Sequence, residues 1–185
     1  MTAKDYTLEY MTATLASADY IASCCDPVRI GGYCRECPSY GTVWVCPPLC
    51  FDARKRAACY ERIMLVGTKI TPCRPMSFAE GEDFVAAERL AIERRLLTLE
   101  GRCKGWALAF SGRCLHCAEA CTRHTGGVCR HPEMVRPSLE ACGFDIEKTA
   151  REIFGVTLKW SKDNMMPDYL FMVSGIFFNG DDIVW

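Results

Sequence analysis

The sequence predicts an α+β fold, in which a small mixed β-sheet built on a βαβ core is covered by helices and carries an irregular cysteine-rich lobe. Short apolar runs at residues 62–67 and 105–110 have the length of buried strands. Residues 81–99, between them, show the apolar spacing of a helix, and a strand–helix–strand of this length favours a right-handed crossover. Two other segments concentrate cysteine, proline and glycine: the first cysteine segment (residues 24–50) and the second cysteine segment (residues 111–133).

Composition limits the function classes. Lys and Arg number 22 against 23 Asp and Glu, so no basic excess indicates nucleic-acid binding. Residues 1–5 offer neither the basic region nor the apolar region of a secretory leader, and we expect a cytoplasmic protein. The apolar stretch at 169–178 is shorter than the roughly 20 residues of a membrane-spanning helix. We expect a single domain over residues 1–185.

The sequence pattern of the N-terminal part predicts little regular structure. Loosely helical apolar spacing predicts a short helix near residues 14–23. The first cysteine segment is punctuated by prolines and glycines, which predicts an ordered, non-helical loop. A helix over residues 51–62 would make Cys59 an ordinary buried thiol.

The long helix at residues 81–99 begins with acidic residues that suit its positive end, and ends near Gly101. We interpret its charged residues as a solvated face. These residues are Glu88, Glu93, Arg94 and Arg95.

The C-terminal part predicts one helix and two strands. Ser138 caps a short turn that runs through Cys142, and Asp145 caps a helix over residues 146–154. Residues 156–160 and 169–178 are rich in β-branched and aromatic side chains, which predicts two final strands.

Cysteine is the unusual component, with 14 in 185 residues. In a reducing compartment, closely spaced cysteines favour metal or redox chemistry over disulfides. In the first cysteine segment, Cys34 and Cys37 form a C-x2-C-P turn that lets two thiolates converge, and Cys46 follows, again before a proline. Cys50 is a candidate fourth ligand. Tyr40 and Trp44 are candidates for a dry shell around a cofactor, with ordinary core packing as the alternative.

The second cysteine segment carries the pattern C-x2-C-x3-C-x7-C. Its thiols are Cys114, Cys117, Cys121 and Cys129. For the neighbouring histidines, surface hydrogen bonding is preferred over metal ligation, because thiols suffice to fill a site. The neighbouring arginines are either a positive patch or a solvated face. These residues are His116, His124 and His131, and Arg113, Arg123 and Arg130.

Both motifs, with their spacer residues, resemble a family of prokaryotic proteins of unknown function described as predicted metal-binding, domain of unknown function 2284. The resemblance is carried by residues 34–48, by Cys114, Cys117 and Cys121, and by residues 129–143. It covers most of the chain from Cys34 onwards and implies metal binding, without a settled activity. The family usually has two residues between the second and third thiols of the later motif, where this chain has three.

The spacing favours iron–sulfur clusters. The familiar zinc arrangement has two C-x2-C pairs about 12–20 residues apart, and neither motif has two such pairs. Ferredoxin-type runs combine C-x2-C with a Cys-Pro dipeptide, and both features occur in this chain. We expect one or two [4Fe–4S] clusters, with zinc as the alternative. One cluster uses the four thiols of the second segment; the other uses Cys34, Cys37 and Cys46, completed by Cys50 or by a remote thiol.

The expected function is electron transfer to a partner redox protein, or carriage of a cluster. A zinc-stabilised interaction module is the alternative from another class. If no fourth thiol reaches the first motif, a cluster-dependent enzyme with an open iron is a further alternative. A radical-SAM triplet is not predicted, because the spacing from Cys117 through Cys121 ends at His124 where a third cysteine is needed. Enzyme status and oligomeric state stay open.

Overall fold

The computed structural model describes residues 5–185, in which one four-stranded sheet has the order β1-β2-β4-β3. The strands are β1 (Tyr6–Ala16), β2 (Arg62–Pro72), β3 (Trp106–Leu108) and β4 (Leu170–Phe178). The α+β class is confirmed. All adjacent strands pair antiparallel, so the sheet is antiparallel throughout instead of mixed.

The βαβ unit is formed by β2, helix α4 (Phe78–Cys103) and β3. Because β4 is antiparallel to both strands, β2 and β3 run parallel to each other with β4 inserted between them. Helix α4 is longer than predicted at both ends. It begins at a capping box, in which the Ser77 and Glu80 side chains and backbones bond reciprocally, and ends at Lys104 in the left-handed conformation.

The sheet separates two apolar layers, because successive side chains of a strand point to opposite faces. On one face Met64, Val66 and Phe178 pack against α4. On the opposite face Ile63, Leu65 and other core residues pack against α1 (Ser17–Cys24), α5 (Ile146–Phe154) and a short 3₁₀ turn over Glu140–Cys142. The predicted α5 and the Ser138-capped turn are confirmed; the Ser138 hydroxyl accepts from the Ala141 amide at 3.1 Å.

The short helix predicted near residues 14–23 is present as α1, although it begins only at Ser17, because residues 6–16 form the edge strand β1. The prediction of a wholly non-helical first cysteine segment is wrong. The first cysteine segment is partly helical, because α2 spans Pro27–Glu36. The Asp26 side chain caps α2 and Pro27 occupies its first turn. These two features stabilise the helix enough to offset the low helix propensity of the glycines within it.

Two other predictions need correction. The predicted helix over residues 51–62 shrinks to α3 (Ala53–Ala57), and Cys59 is exposed beyond its end instead of buried. Residues 156–160 form no strand; Val156 and Leu158 nevertheless pack against the core. The predicted strand at 169–178 is confirmed as β4.

The second cysteine segment leaves the end of β3 and returns to the same place. Ala109 and Ser138 form an isolated parallel bridge, and the Ala109 amide donates to the Pro137 carbonyl at 2.9 Å. The segment is therefore closed at its base on the sheet. No helix in residues 5–185 is long and apolar enough to cross a membrane. The expectation about a secretory leader concerns residues 1–5, of which 1–4 lie outside the described part.

Candidate metal centre

The first thiol cavity is lined by Cys34, Cys37 and Cys46, and has a volume of about 80 Å³. Cys34 lies on the last turn of α2 and Cys37 is the capping residue of that helix. A turn from Cys37 to Tyr40 follows, and the Gly41 amide bonds the Pro47 carbonyl at 2.8 Å. The cavity therefore forms where a helix end meets a compact turn. Tyr40 lines the same cavity.

The second thiol cavity is lined by Cys114, Cys117, Cys121 and Cys129, and has a volume of about 310 Å³. These are the four predicted thiols of the second segment. Cys121 and Cys129 are separated by a 3₁₀ turn over Thr122–Thr125. The Thr122 hydroxyl donates to the Val128 carbonyl at 2.6 Å, and the Thr122 carbonyl accepts from the Gly127 amide at 2.9 Å. These bonds fold the chain back, so that the last two thiols line the same cavity.

Trp44 belongs to the second thiol cavity, although it comes from the first cysteine segment. Its indole nitrogen donates to the Thr122 hydroxyl at 3.3 Å. The Arg123 guanidinium lies over its ring at 5.2 Å from the centroid. An aromatic side chain of one segment thus lines the thiol cavity of the other.

Arg123 links the two segments. Its Nη1 donates to the carbonyl oxygens of Val43 at 2.8 Å and Cys46 at 2.6 Å, and its Nη2 donates to the Pro48 carbonyl at 2.6 Å. The arginine is therefore neither a free patch nor a solvated side chain, the two readings that its sequence position offered. Its bonds use the fixed fork geometry of a guanidinium.

Helix α4 supports the second cysteine segment through a polar stripe formed by Arg89, Glu93 and Glu100. Arg89 donates to the Arg113 carbonyl at 3.1 Å. Glu100 pairs with Arg136 at 2.5 Å and accepts from the Ala107 amide at 2.7 Å. These contacts fix the start of the second cysteine segment, at Arg113, and the chain just after its end, at Arg136, on one helix face.

Glu93 is the central member of this stripe. It pairs with Nε2 of His116 at 3.0 Å, and both side chains are almost completely buried. The predictions of a solvated Glu93 and a surface His116 are therefore wrong. Burial raises the pKa of Glu93, while His116 and Arg89 favour its charged form. The pair orients the residue between Cys114 and Cys117.

Burial favours the neutral form of three of the thiols that line these cavities. It raises the pKa of Cys46 to about 11, and neighbouring thiols Cys37 and Cys34 add to the rise. Burial likewise raises the pKa values of Cys34 and Cys114. Because a thiol ligates metal as a thiolate, metal binding to either cavity must release protons.

Cys50 lies apart from the first thiol cavity. It lines a separate surface cavity together with Cys129 and Trp44. Instead of a fourth thiol, the first thiol cavity contains Glu140, whose carboxyl group lies buried near Ser111 and Ser138. Burial raises the pKa of Glu140, and these two hydroxyls act in the opposite direction.

The donor types fit a thiophilic metal. Thiolates are ligands that iron–sulfur clusters and zinc prefer. All fourteen cysteines are free thiols in the described part of the chain. Within residues 5–185, however, no three Cys, His, Asp or Glu side chains converge closely enough to hold a metal ion.

Sequence reasoning missed four supporting residues: Arg89, Glu93, Arg123 and Glu140. For Arg89 and Glu93 a signal exists, because their spacing of four, continued at Glu100, places them on one face of α4. No local pattern distinguishes Arg123 from its neighbouring arginines. His124 is exposed, while His131 lines the second thiol cavity.

The model of one protein family, DUF2284, described as predicted metal-binding protein, matches residues 26–178. The matched range includes both thiol cavities and the strands and helix that support them. A search of curated proteins and a search of solved structures each gave no match.

Proposed function

From the premise that this chain belongs to the DUF2284 family of predicted metal-binding proteins, we propose that its two thiol cavities bind metal centres for electron transfer. The single observation that supports this most strongly is the grouping of four cysteines around the second thiol cavity. We propose a [4Fe–4S] cluster at this position, held by Cys114, Cys117, Cys121 and Cys129.

The first thiol cavity is proposed as the second metal centre, with Cys34, Cys37 and Cys46 as ligands. Arg123 supports a joint function of the two centres, because it bonds the backbone of the first segment from within the second. A bound iron–sulfur cluster supplies one-electron redox chemistry. The protein residues hold it, and Tyr40 and Trp44 limit the access of water.

A test of electron transfer is reversible reduction. Anaerobically purified protein is expected to show broad visible absorption that dithionite bleaches and an oxidised redox protein restores. Transfer of iron and sulfide to an apo-acceptor without such cycling would instead support cluster carriage. A colourless protein that contains zinc would contradict the proposal and favour a zinc-stabilised interaction module.

A second candidate function is a cluster-dependent enzyme, which the position of Cys50 favours. Cys50 lines a different cavity from Cys34, Cys37 and Cys46, which leaves three thiols around the first thiol cavity. A cluster held by three thiols offers one iron to a substrate. The test is whether Cys50→Ser retains the iron content of the parent and whether one iron is exchangeable on oxidation in the parent and the variant alike.

A further inference from the structure

A large cavity adjoins the first thiol cavity and is not used by the proposed metal function. It lies between the first half of α4, strand β4 and residues 158–161, and has a volume of about 470 Å³. This volume is in the range of small-molecule sites, about 300–1,000 Å³. Phe110, Ser111, Gly112 and Glu140 line both cavities, so a ligand here would lie next to the first metal centre.

The walls of this ligand cavity are mainly apolar, as in most small-molecule sites. The apolar lining includes Phe78, Val85, Leu158, Leu170, Phe171 and Met172. Such walls suit an apolar body of aromatic or branched aliphatic character.

Two buried polar groups in the lining have unmatched hydrogen-bonding atoms. Nε of Arg89 and Oε2 of Glu140 are each buried without a hydrogen-bond partner in the described part of the chain. A buried donor or acceptor without a partner destabilises the protein, and a ligand that supplies the partner removes that cost. Both atoms belong to residues that line the ligand cavity.

The other charges of the cavity are already paired. Lys159 forms an ion pair with Asp168, and Glu82 pairs with Arg113 at 3.7 Å. Arg89 is held in place by its bond to the Arg113 carbonyl. Gly112, with φ of +97°, lies beside it, since a Cβ there would be in ordinary van der Waals contact with Nη1 at 3.5 Å. A positioned guanidinium with a free N–H is a good partner for a carboxylate.

We propose that this cavity binds a small organic acid with an apolar body, whose carboxylate accepts from Arg89 and whose neighbouring hydroxyl bonds Glu140. The ligand class follows from the apolar walls and the two unmatched polar atoms together. The inference goes beyond the proposed metal function and does not depend on it.

Calorimetry with phenyllactate tests the ligand class, using the full chain as purified under anaerobic conditions. Phenyllactate is expected to bind more tightly than hydrocinnamate, which lacks the hydroxyl, and than hydrocinnamyl alcohol, which lacks the carboxylate. Since a hydrogen bond to a charged group contributes about 1.5–3 kcal/mol, loss of the carboxylate should weaken binding about tenfold or more.

Variants locate the site. Ala86→Leu fills the cavity and Arg89→Gln removes the cation, so both should weaken phenyllactate binding at least tenfold. The matched controls are Ala87→Leu and Arg102→Gln, at exposed positions of the same helix, and these should bind like the parent. Absence of phenyllactate binding by the parent, or equal binding by Ala86→Leu and Ala87→Leu, would overturn the proposal. Iron and sulfide contents of each variant keep this outcome separate from the metal function.

Discussion

Arg123 donates a hydrogen bond from Nη1 to the carbonyl oxygen of Cys46 at 2.6 Å, which joins the second cysteine segment to the backbone at a thiol of the first. The same guanidinium bonds the carbonyls of Val43 and Pro48. The two thiol cavities are thus connected by one side chain. Changes at this residue are expected to affect both.

Arg123→Gln tests this connection. Loss of the guanidinium removes charge-assisted bonds to three carbonyls, so we expect the free energy of unfolding to fall by about 2 kcal/mol. Iron bound at both cavities should fall as well. Chemical denaturation and metal analysis measure the two effects. Arg130→Gln is the control, because Arg130 is exposed and bonds the Ala120 carbonyl and Glu119 within its own segment. Equal results for the two variants would argue against the link.

The buried pair of Glu93 and His116 gives a second prediction. Glu93→Leu leaves His116 without its partner, and breaking a buried ion pair costs about 3–5 kcal/mol. The contact is an ion pair only when His116 is protonated and is otherwise a hydrogen bond. We therefore expect the free energy of unfolding to fall by an amount at the lower end of that range. Denaturant unfolding measures the change.

The double variant Glu93→Leu, His116→Leu should recover part of that loss, because no polar group is then left unpaired. Glu82→Gln, at an exposed position of α4, should unfold like the parent. A loss in the double variant equal to the sum of the losses in Glu93→Leu alone and His116→Leu alone would contradict the pairing.

Gly143 tests how the first thiol cavity is built. It has φ of +88°, its carbonyl accepts from the Asp26 amide at 2.9 Å, and a Cβ there would lie 2.9 Å from Pro27. Gly143→Ala should therefore destabilise the protein more than Gly155→Ala. Gly155 has φ of +67° and open space around it, so its substitution should cost only the backbone strain, about 1–2 kcal/mol. Similar losses would show that α2 does not pack tightly at Gly143.

The regular core of this fold is largely predictable from sequence. Strand β4 is a β-branched and aromatic run, and α5 is predicted over residues 146–154 from its Asp145 cap, as the structure has it. Strand β1 was missed, although Met11, Ala13 and Leu15 alternate with exposed Thr12 and Thr14. The few apolar residues here fit the two-residue period of a strand and the period of a loose helix equally well. Pairing with β2 is what makes the segment a strand.

The candidate site is less predictable, because its organisation depends on distant contacts. The grouping of the thiols into two sets follows from their spacing. Two features depend on contacts between residues about 80 positions apart. Trp44 contacts the second cysteine segment, and Arg123, instead of Arg130, joins the two segments. Likewise Cys50 is close to Cys46 in sequence but lines a different cavity.

Cysteine substitutions test the two ligand sets separately. Cys117→Ser should remove the metal of the second thiol cavity, and Cys46→Ser that of the first, each lowering the iron content by about one cluster. Cys59→Ser is the control, because its exposed thiol donates to the Lys55 carbonyl and lines neither thiol cavity. Electron paramagnetic resonance of reduced protein identifies which signal is lost. Loss of the same signal in both variants would mean that the two segments share one cluster.

The central claim is that the thiol cavities hold iron–sulfur clusters, and the most direct measurement is iron and acid-labile sulfide per chain in anaerobically purified protein. We predict that the protein contains equal amounts of iron and sulfide. Each cluster should contribute about four of each, and both cavities should be filled. Stoichiometric zinc without sulfide, or no metal in protein that is folded, would contradict the account.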